Sequence, residues 1–256
     1  MKRIFTFGCS YTSYGYPTWA DITIYNSKLK GYNFGWSGIG NYGIYNLLIQ
    51  ANIKYKFRNT DIILVQWTSF DREDRLDNEG AWLAGGSVYN NPNYDRKFVK
   101  QHVTFQDSLV KNYTAIISAN QLFPKIINLR AGPWWIHTNN LDTMFWHYGN
   151  DTASKEIFSF YKNSLPKKTL HLPEGYECFK KDGHPDVNSH LNWAKLVSNK
   201  TKIPITNNTL KHYTAVQEWI EKRDLDSIGV DIQKITKHRE LRTNLWNKSA
   251  NKQEVN

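Results

Sequence analysis

The sequence predicts an α/β layer fold with a parallel sheet, on three observations. Short apolar runs closed by polar or turn residues recur along the chain, as buried parallel strands do. They are Ile4-Phe5-Thr6-Phe7, Ile62-Ile63-Leu64-Val65 and Lys125-Ile126-Ile127-Asn128-Leu129. The segments between these runs carry helical spacing. Strand and helix alternate at distances that suit crossover connections. In such sheets the reactive groups collect beyond the carboxyl ends of the strands, so the residues just beyond each run carry the most information.

The first run reads as a strand beginning almost at Met1. Next comes the stretch Gly40 to Ile49, with apolar spacing that suits a helix from Ile44 onward. After the second strand, Arg72 to Asp95 is polar, rich in Gly and Asn, and aromatic. It reads as a long excursion, a lid or a substrate-contacting loop. Phe98 to Asn120 places Val103, Leu109, Val110, Tyr113, Ile116 and Ile117 at helical spacing, ahead of the third strand. Residues 131–180 form a second irregular aromatic region with several prolines. Beyond Pro204 the texture changes. Val216, Trp219 and Ile220 lie at helical spacing within His212 to Arg223, and Leu225, Ile228, Ile232, Ile235, Leu241 and Leu245 continue the pattern. The expected division is a main domain over 1–204 and a helical extension with a polar tail over 205–256, the extension offering a surface for a protein partner.

Composition narrows the function. The chain has 256 residues, 40% of them apolar, with a net charge of +10. This excludes a collagen-like, low-complexity or mainly disordered chain. No run approaches the roughly 18 apolar residues of a membrane span, so no membrane partner is expected. Met1-Lys2-Arg3 leads directly into the first strand without the apolar stretch of a secretory signal. Cys9 and Cys178 are far apart and belong to no metal-spaced cluster, so no structural zinc and no disulfide framework is expected. Free thiols fit a cytoplasmic protein, or one assembled into a virus particle made there. The basic residues are dispersed, and no nucleic-acid-binding signature accompanies them, which argues against a nucleic-acid partner.

Three segments carry chemistry. The first strand runs into Phe7-Gly8-Cys9-Ser10-Tyr11-Thr12. A serine there puts a hydroxyl at the strand's carboxyl end. If a helix starts at that point, its free N–H groups share the same space, and the serine is either a nucleophile beside an oxyanion site or simply a cap. The second segment is Asn33-Phe34-Gly35-Trp36-Ser37-Gly38-Ile39-Gly40-Asn41. Its glycines permit close approach of the backbone to a ligand, or an ordinary tight loop. It lacks the Lys-Ser/Thr ending of a phosphate-cradling loop. The third is Lys181-Asp182-Gly183-His184-Pro185-Asp186, running on through His190 to Ala194. An acid two residues before a histidine, then proline and a helix-compatible run, suits a general base with Asp182 orienting the ring. It equally suits a surface loop. His190 reads as a helix residue, and the His184/His190 pair lacks a third metal ligand.

Taken together and in order, the three segments resemble the blocks of the SGNH (GDSL-like) hydrolase family over roughly residues 1–200. Gly8-Cys9-Ser10-Tyr11-Thr12 is similar to the first block, Asn33 to Asn41 to the second, and Asp182 to Ala194 to the last. The resemblance implies a three-layer α/β/α sandwich with a parallel sheet and hydrolysis of an ester by a serine nucleophile. It makes Ser10 the nucleophile, His184 the base and Asp182 the acid. The N–H groups of Ser10 and Gly38 form the oxyanion hole. It implies no metal and no organic cofactor.

The sequence departs from the family pattern at three places. The aspartate after the first glycine is Cys9. Where the third block should supply an asparagine, the chain reads Gln66-Trp67-Thr68-Ser69-Phe70-Asp71-Arg72, and Thr68 or Ser69 is the candidate replacement donor, with Gln66 and Arg72 also at hand. Asp182 stands one residue closer to the histidine than the family's acid, whose position is Lys181. Fourteen per cent aromatic residues suit a substrate with stacking faces, such as an O-acylated sugar, as well as plain core packing. The expected function is therefore a serine esterase acting on an acyl ester, an acetyl ester on a carbohydrate being favoured. The alternative is a catalytically weak or inactive protein on the same scaffold, a phage particle component contacting host glycans.

Overall fold

The computed structural model describes residues 2–76, 78, 82–89, 94–131, 156, 159–161, 163–173, 177–178 and 184–222. The fold is α/β. A five-stranded sheet has the order β2-β1-β3-β6-β7, where β1 is Arg3–Gly8, β2 Lys30–Gly35, β3 Ile62–Trp67, β6 Ile127–Ala131 and β7 Thr169–Leu172. β1 runs parallel to β2 with Thr6 opposite Asn33, Phe7 opposite Phe34 and Gly8 opposite Gly35. β6 runs parallel to β7. Every residue of β1 and β3 is buried. Strands covered on both sides read as continuous apolar runs, which is why both are visible in the sequence.

Two compact units divide the chain. The first gathers the described residues of 1–36, 58–64 and 175–256, the second those of 37–57 and 65–174. β3 contributes its first three residues to one and its last three to the other.

In the first unit, α1 (Trp19–Ser27) packs on β2, on α5 (Val187–Thr201) and on α6 (Asn207–Glu221). Phe5 stacks on Tyr32 at 4.8 Å and Phe7 on Phe34 at 5.0 Å, so cross-strand ring pairs fill the β1/β2 surface. Arg3 closes the outer end of the sheet with a forked contact to Asp61, Nε to Oδ1 at 3.0 Å and Nη2 to Oδ2 at 2.5 Å. Asn26, at the end of α1, ties in the start of α6. Its amide donates to the Pro204 carbonyl at 2.9 Å, and its Oδ1 accepts from Thr206 N–H at 3.0 Å and the Thr209 hydroxyl at 2.9 Å. Gln217 Oε1 accepts from Val187 N–H at 2.9 Å, satisfying a free donor at the first turn of α5.

In the second unit, α2 (Asn41–Tyr55) packs on α4 (Phe105–Leu122). α2 starts at Gly40, which offers no side chain to cap it. Asp74 supplies the cap from afar, accepting from Gly40 N–H at 2.7 Å and Gly43 N–H at 2.8 Å. Burial pushes the Asp74 carboxyl up while those two N–H bonds hold it down. The excursion after β3 contains an antiparallel strand pair, β4 (Arg75–Leu76) with β5 (Trp82–Leu83). Its base is closed by the Arg72/Ser87 bridge and by Val88 N–H on the Asp71 carbonyl at 2.7 Å.

Several elements differ from expectation for physical reasons. The single helix expected over 98–120 is two, α3 (Arg96–His102) and α4, because Val103 is extended and the Thr104 hydroxyl caps a fresh helix through Asp107 N–H at 3.1 Å. α1 has no polar face, since nearly all of its residues are buried, and so shows no amphipathic period. Residues 33–35, read as part of a loop, are the end of β2. The apolar positions from Leu225 to Leu245, and most of the aromatic stretch 131–180, lie outside the described residues. No helix among the described residues is long and apolar enough to cross a membrane.

Candidate functional site

No helix follows β1 directly. The chain turns instead, with Thr12 N–H and Ser13 N–H both donating to the Cys9 carbonyl, at 2.9 and 3.1 Å, and α1 begins only at Trp19. Ser10 sits inside this turn, buried. Among the described residues its hydroxyl makes no hydrogen bond, so Ser10 is not a helix cap. Cys9, the residue before it, is buried as well.

Two side chains fasten the far end of the turn. The Thr12 carbonyl accepts from the Thr18 hydroxyl at 2.6 Å and from Asn33 Nδ2 at 2.9 Å. Asn33 Nδ2 also donates to Asp21 Oδ1 at 2.9 Å, and Asn33 Oδ1 accepts from Gly35 N–H at 2.9 Å. Asp21 Oδ2 in turn accepts from Thr18 N–H at 3.0 Å, closing the first turn of α1. β2 passes so close to the serine turn that a Cβ on Gly35 would lie 2.6 Å from Ser13 Cβ and 2.8 Å from Ser13 N. Neither Thr18 nor Asp21 stands out as a functional residue in the sequence, although Thr18-x-x-Asp21 has the spacing of a capping box, and Asn33 opens the glycine-rich segment with no role of its own assigned there.

His184 lies just ahead of α5, on a loop tied at its base. Cys178 and Pro185 form an antiparallel bridge, Asp186 N–H donates to the Glu177 carbonyl at 2.9 Å, and Glu177 N–H donates to Ser189 Oγ at 3.1 Å. Asp186 caps α5, accepting from Ser189 N–H at 2.7 Å, and so has a structural job of its own. Asp182 lies outside the described residues. The imidazole of His184 is stacked on Tyr14, with centroids 4.0 Å apart, and meets the ring of Tyr11 edge-on at 5.7 Å. Both tyrosines belong to the chain that leaves Ser10, which brings His184 to the serine turn. Nothing in the sequence marks Tyr11 or Tyr14 for this contact, because it joins positions that are more than 160 residues apart.

His190, one turn into α5, is fully buried and packs edge-on against Trp193 at 5.1 Å. Burial pushes its pKa down to about 3, with repulsion from His184 adding to the shift. It is a neutral core histidine. Among the described residues, no group of three or more His, Cys, Asp or Glu side chains is placed to hold a metal ion.

Gly38, Thr68 and Ser69 belong to the second unit. Gly38 has φ of +80°, and a Cβ there would meet Gly86 N at 2.9 Å and Ala84 O at 3.0 Å. Only glycine combines that φ with that approach. Its carbonyl accepts from Gly86 N–H at 2.9 Å. Asn41, fully buried, holds the segment after β3. Its Oδ1 accepts from Thr68 N–H at 2.8 Å, and its Nδ2 donates to the Thr68 carbonyl at 3.0 Å and to Asn112 Oδ1 at 2.7 Å. The Ser69 hydroxyl is bonded to the Asp71 carboxylate. Arg72 donates to the Ile39 carbonyl at 2.9 Å. Of the two residues expected to supply a replacement donor, Ser69 has its hydroxyl engaged, and that of Thr68 makes no hydrogen bond among the described residues.

No protein family and no curated protein matches the sequence. Solved structures with similar folds include a member of the lipolytic G-D-S-L family from Veillonella parvula, with a TM-score of 0.42, 15% identity, and coverage of 78% of this chain and 97% of that one. An alpha/beta hydrolase enzyme from the metagenome of Lake Arreo gives 0.43 and 12% identity, covering 80% of this chain and 96% of that one. An acetyl xylan esterase from the rumen bacterium Butyrivibrio proteoclasticus gives 0.38 and 16% identity, covering 78% of this chain and 64% of that one.

Proposed function

We propose that the chain is a serine ester hydrolase that removes an acyl group, with an acetyl group on a carbohydrate as the favoured ester. The observation that carries this reading is the packing of His184 on Tyr11 and Tyr14, against a turn whose serine hydroxyl makes no hydrogen bond among the described residues. The three ordered sequence blocks resembling SGNH hydrolases support the same assignment.

In the proposed reaction Ser10 Oγ attacks the ester carbonyl carbon while His184 takes the hydroxyl proton. The carbonyl oxygen becomes an oxyanion, to which the resemblance assigns the N–H groups of Ser10 and Gly38, with Thr68 as the candidate added donor. The C–O bond to the alcohol breaks, the alcohol leaves with the proton from His184, and Ser10 keeps the acyl group. Water then attacks that acyl-serine, His184 takes the water's proton, and the carboxylic acid departs as Ser10 recovers its hydrogen. Asp182 orients the imidazole. Water is the only co-reactant.

The test is labelling of the full chain with a fluorophosphonate probe, together with hydrolysis of a small acetyl ester. Wild type should be labelled and should turn the ester over, and Ser10→Ala should do neither while keeping its melting temperature within a few degrees. Turnover by purified Ser10→Ala would refute the assignment.

A second reading, a weak or inactive protein that binds acylated glycans on a virus particle, has one observation in its favour. After β3, the Ser69 hydroxyl is bonded to Asp71 and the Thr68 N–H to Asn41, so few donors remain for an oxyanion. Losing one such donor costs about 10²–10³ in rate. Glycan binding by a wild-type protein that is neither labelled nor active would favour this reading.

A further inference from the structure

We propose that Asn33 is a positioning residue: from β2 it fixes the turn that carries Ser10, and the catalytic part of this inference rests on the esterase reading above. β2 otherwise serves packing. Tyr32 and Phe34, on either side of Asn33, stack on rings of β1. Asn33 is also buried, yet among the described residues its side chain bonds only to the serine turn, to the helix after it and to the backbone of Gly35.

The turn is restrained at two carbonyls. That of Cys9 is held by N–H groups of the turn itself, a local arrangement that any sequence of suitable φ and ψ supplies. That of Thr12 is held by the side chains of Thr18 and Asn33, which come from outside the turn and give it one orientation relative to the sheet. Asn33 couples that carbonyl to Asp21 and thereby to the first turn of α1. An apolar residue of the same volume would fill the space but leave Asp21 Oδ1 without its Asn33 donor, and it would take one donor away from the Thr12 carbonyl. The turn would then sample more orientations, and Ser10 Oγ would spend less time in the attacking geometry. Displacement of a reacting atom by about 1 Å costs on the order of 10²-fold in rate.

The experiment uses the full chain as wild type, Asn33→Leu, Asn33→Asp, the double variant Asn33→Asp/Asp21→Asn, and Thr18→Val. Fluorophosphonate labelling rate per folded molecule is measured beside amide hydrogen exchange. Asn33→Leu and Asn33→Asp should label roughly 10- to 100-fold more slowly with little change in KM for the acetyl ester. The double variant, which restores a donor and an acceptor between the two positions with their roles reversed, should regain part of that loss. Exchange at Thr12 and Ser13 N–H should quicken while β1 and β3 stay protected. If Asn33→Leu does not fold, Thr18→Val carries the test, since it removes a second donor to the same carbonyl. Labelling and turn exchange equal to wild type would overturn the proposal, as would slower labelling matched by uniform loss of protection across the sheet. If wild type itself is never labelled, the esterase reading fails. The exchange data then decide the positioning role alone, and unchanged protection at Thr12 and Ser13 rejects it.

Discussion

The rings of Tyr14 and His184 lie face to face, 17° from parallel and 4.0 Å apart. One comes from the stretch after β1 and the other from the loop before α5, so the stack fixes where the imidazole plane lies relative to the serine turn. Ring packing of this kind contributes about 0.5–1.5 kcal/mol beyond buried area. Tyr14→Phe keeps the face and should retain near-wild-type turnover of an acetyl ester. Tyr14→Ala should lower kcat about tenfold with a smaller change in KM. Steady-state kinetics of the three proteins decide the matter, and equal kcat for Tyr14→Ala and wild type would remove the stack from the mechanism.

The buried His190 makes stability depend on pH. Its pKa falls from an ordinary 6.5 to about 3 in the fold, so between those values the unfolded chain binds a proton that the folded chain refuses. The contribution is fully present above pH 6.5 and is lost as pH drops toward 3. Each pH unit well inside that window removes about 1.4 kcal/mol. Melting curves of wild type from neutral to acidic pH should show a steep fall in melting temperature once the pH drops below the ordinary histidine value. His190→Phe, which cannot titrate, should show a shallower one. Parallel curves would mean that other groups govern acid unfolding.

Gly35 should tolerate no side chain. A Cβ there meets backbone and Cβ atoms of the serine turn at 2.6–2.9 Å, and backbone cannot swing aside as a side-chain end can. Gly35→Ala should cost about 1–3 kcal/mol in urea unfolding and slow fluorophosphonate labelling as well. Gly15→Ala is the control, since nothing lies within 4 Å of a Cβ at that position. A Gly35→Ala protein as stable and as reactive as Gly15→Ala would contradict the close approach of β2.

Thr68 and Ser69 should separate by function. With the Ser69 hydroxyl engaged by Asp71 and that of Thr68 unbonded among the described residues, Thr68→Val should reduce kcat by about 10²-fold if it removes an oxyanion donor. Ser69→Ala should act on local stability and leave kcat within a few-fold. The opposite ranking in kcat would reassign the donor.

Much of the sheet was legible because β1 and β3 are buried on both faces, and burial of that kind writes uninterrupted apolar runs. β2 escaped notice because lysine and glycines bracket its aromatic residues, and α1 because it is buried nearly all round. At the site, Ser10, Gly38 and His184 were readable from their place after a strand, in a glycine-rich stretch and before a helix. Asn33, Asp21, Thr18 and Tyr14 were not, since their roles depend on partners reached only through the folded chain. Asn41 and Asp74 have the same character: each satisfies backbone groups about thirty residues away, and local patterns hold no record of such bonds.

The three bonds made by Asn26 also bear on how the chain reaches its fold. They join positions separated by 178, 180 and 183 residues, so the surface of α1 that receives α5 and α6 is made long before its cover. Contacts of such separation close large loops before they return any free energy, which slows folding. On the ribosome, the β1–α1–β2 segment that carries Ser10 would emerge with its aromatic and isoleucine side chains exposed and wait for most of the remaining chain. The same segment that serves the proposed chemistry is thus open to misassembly during synthesis.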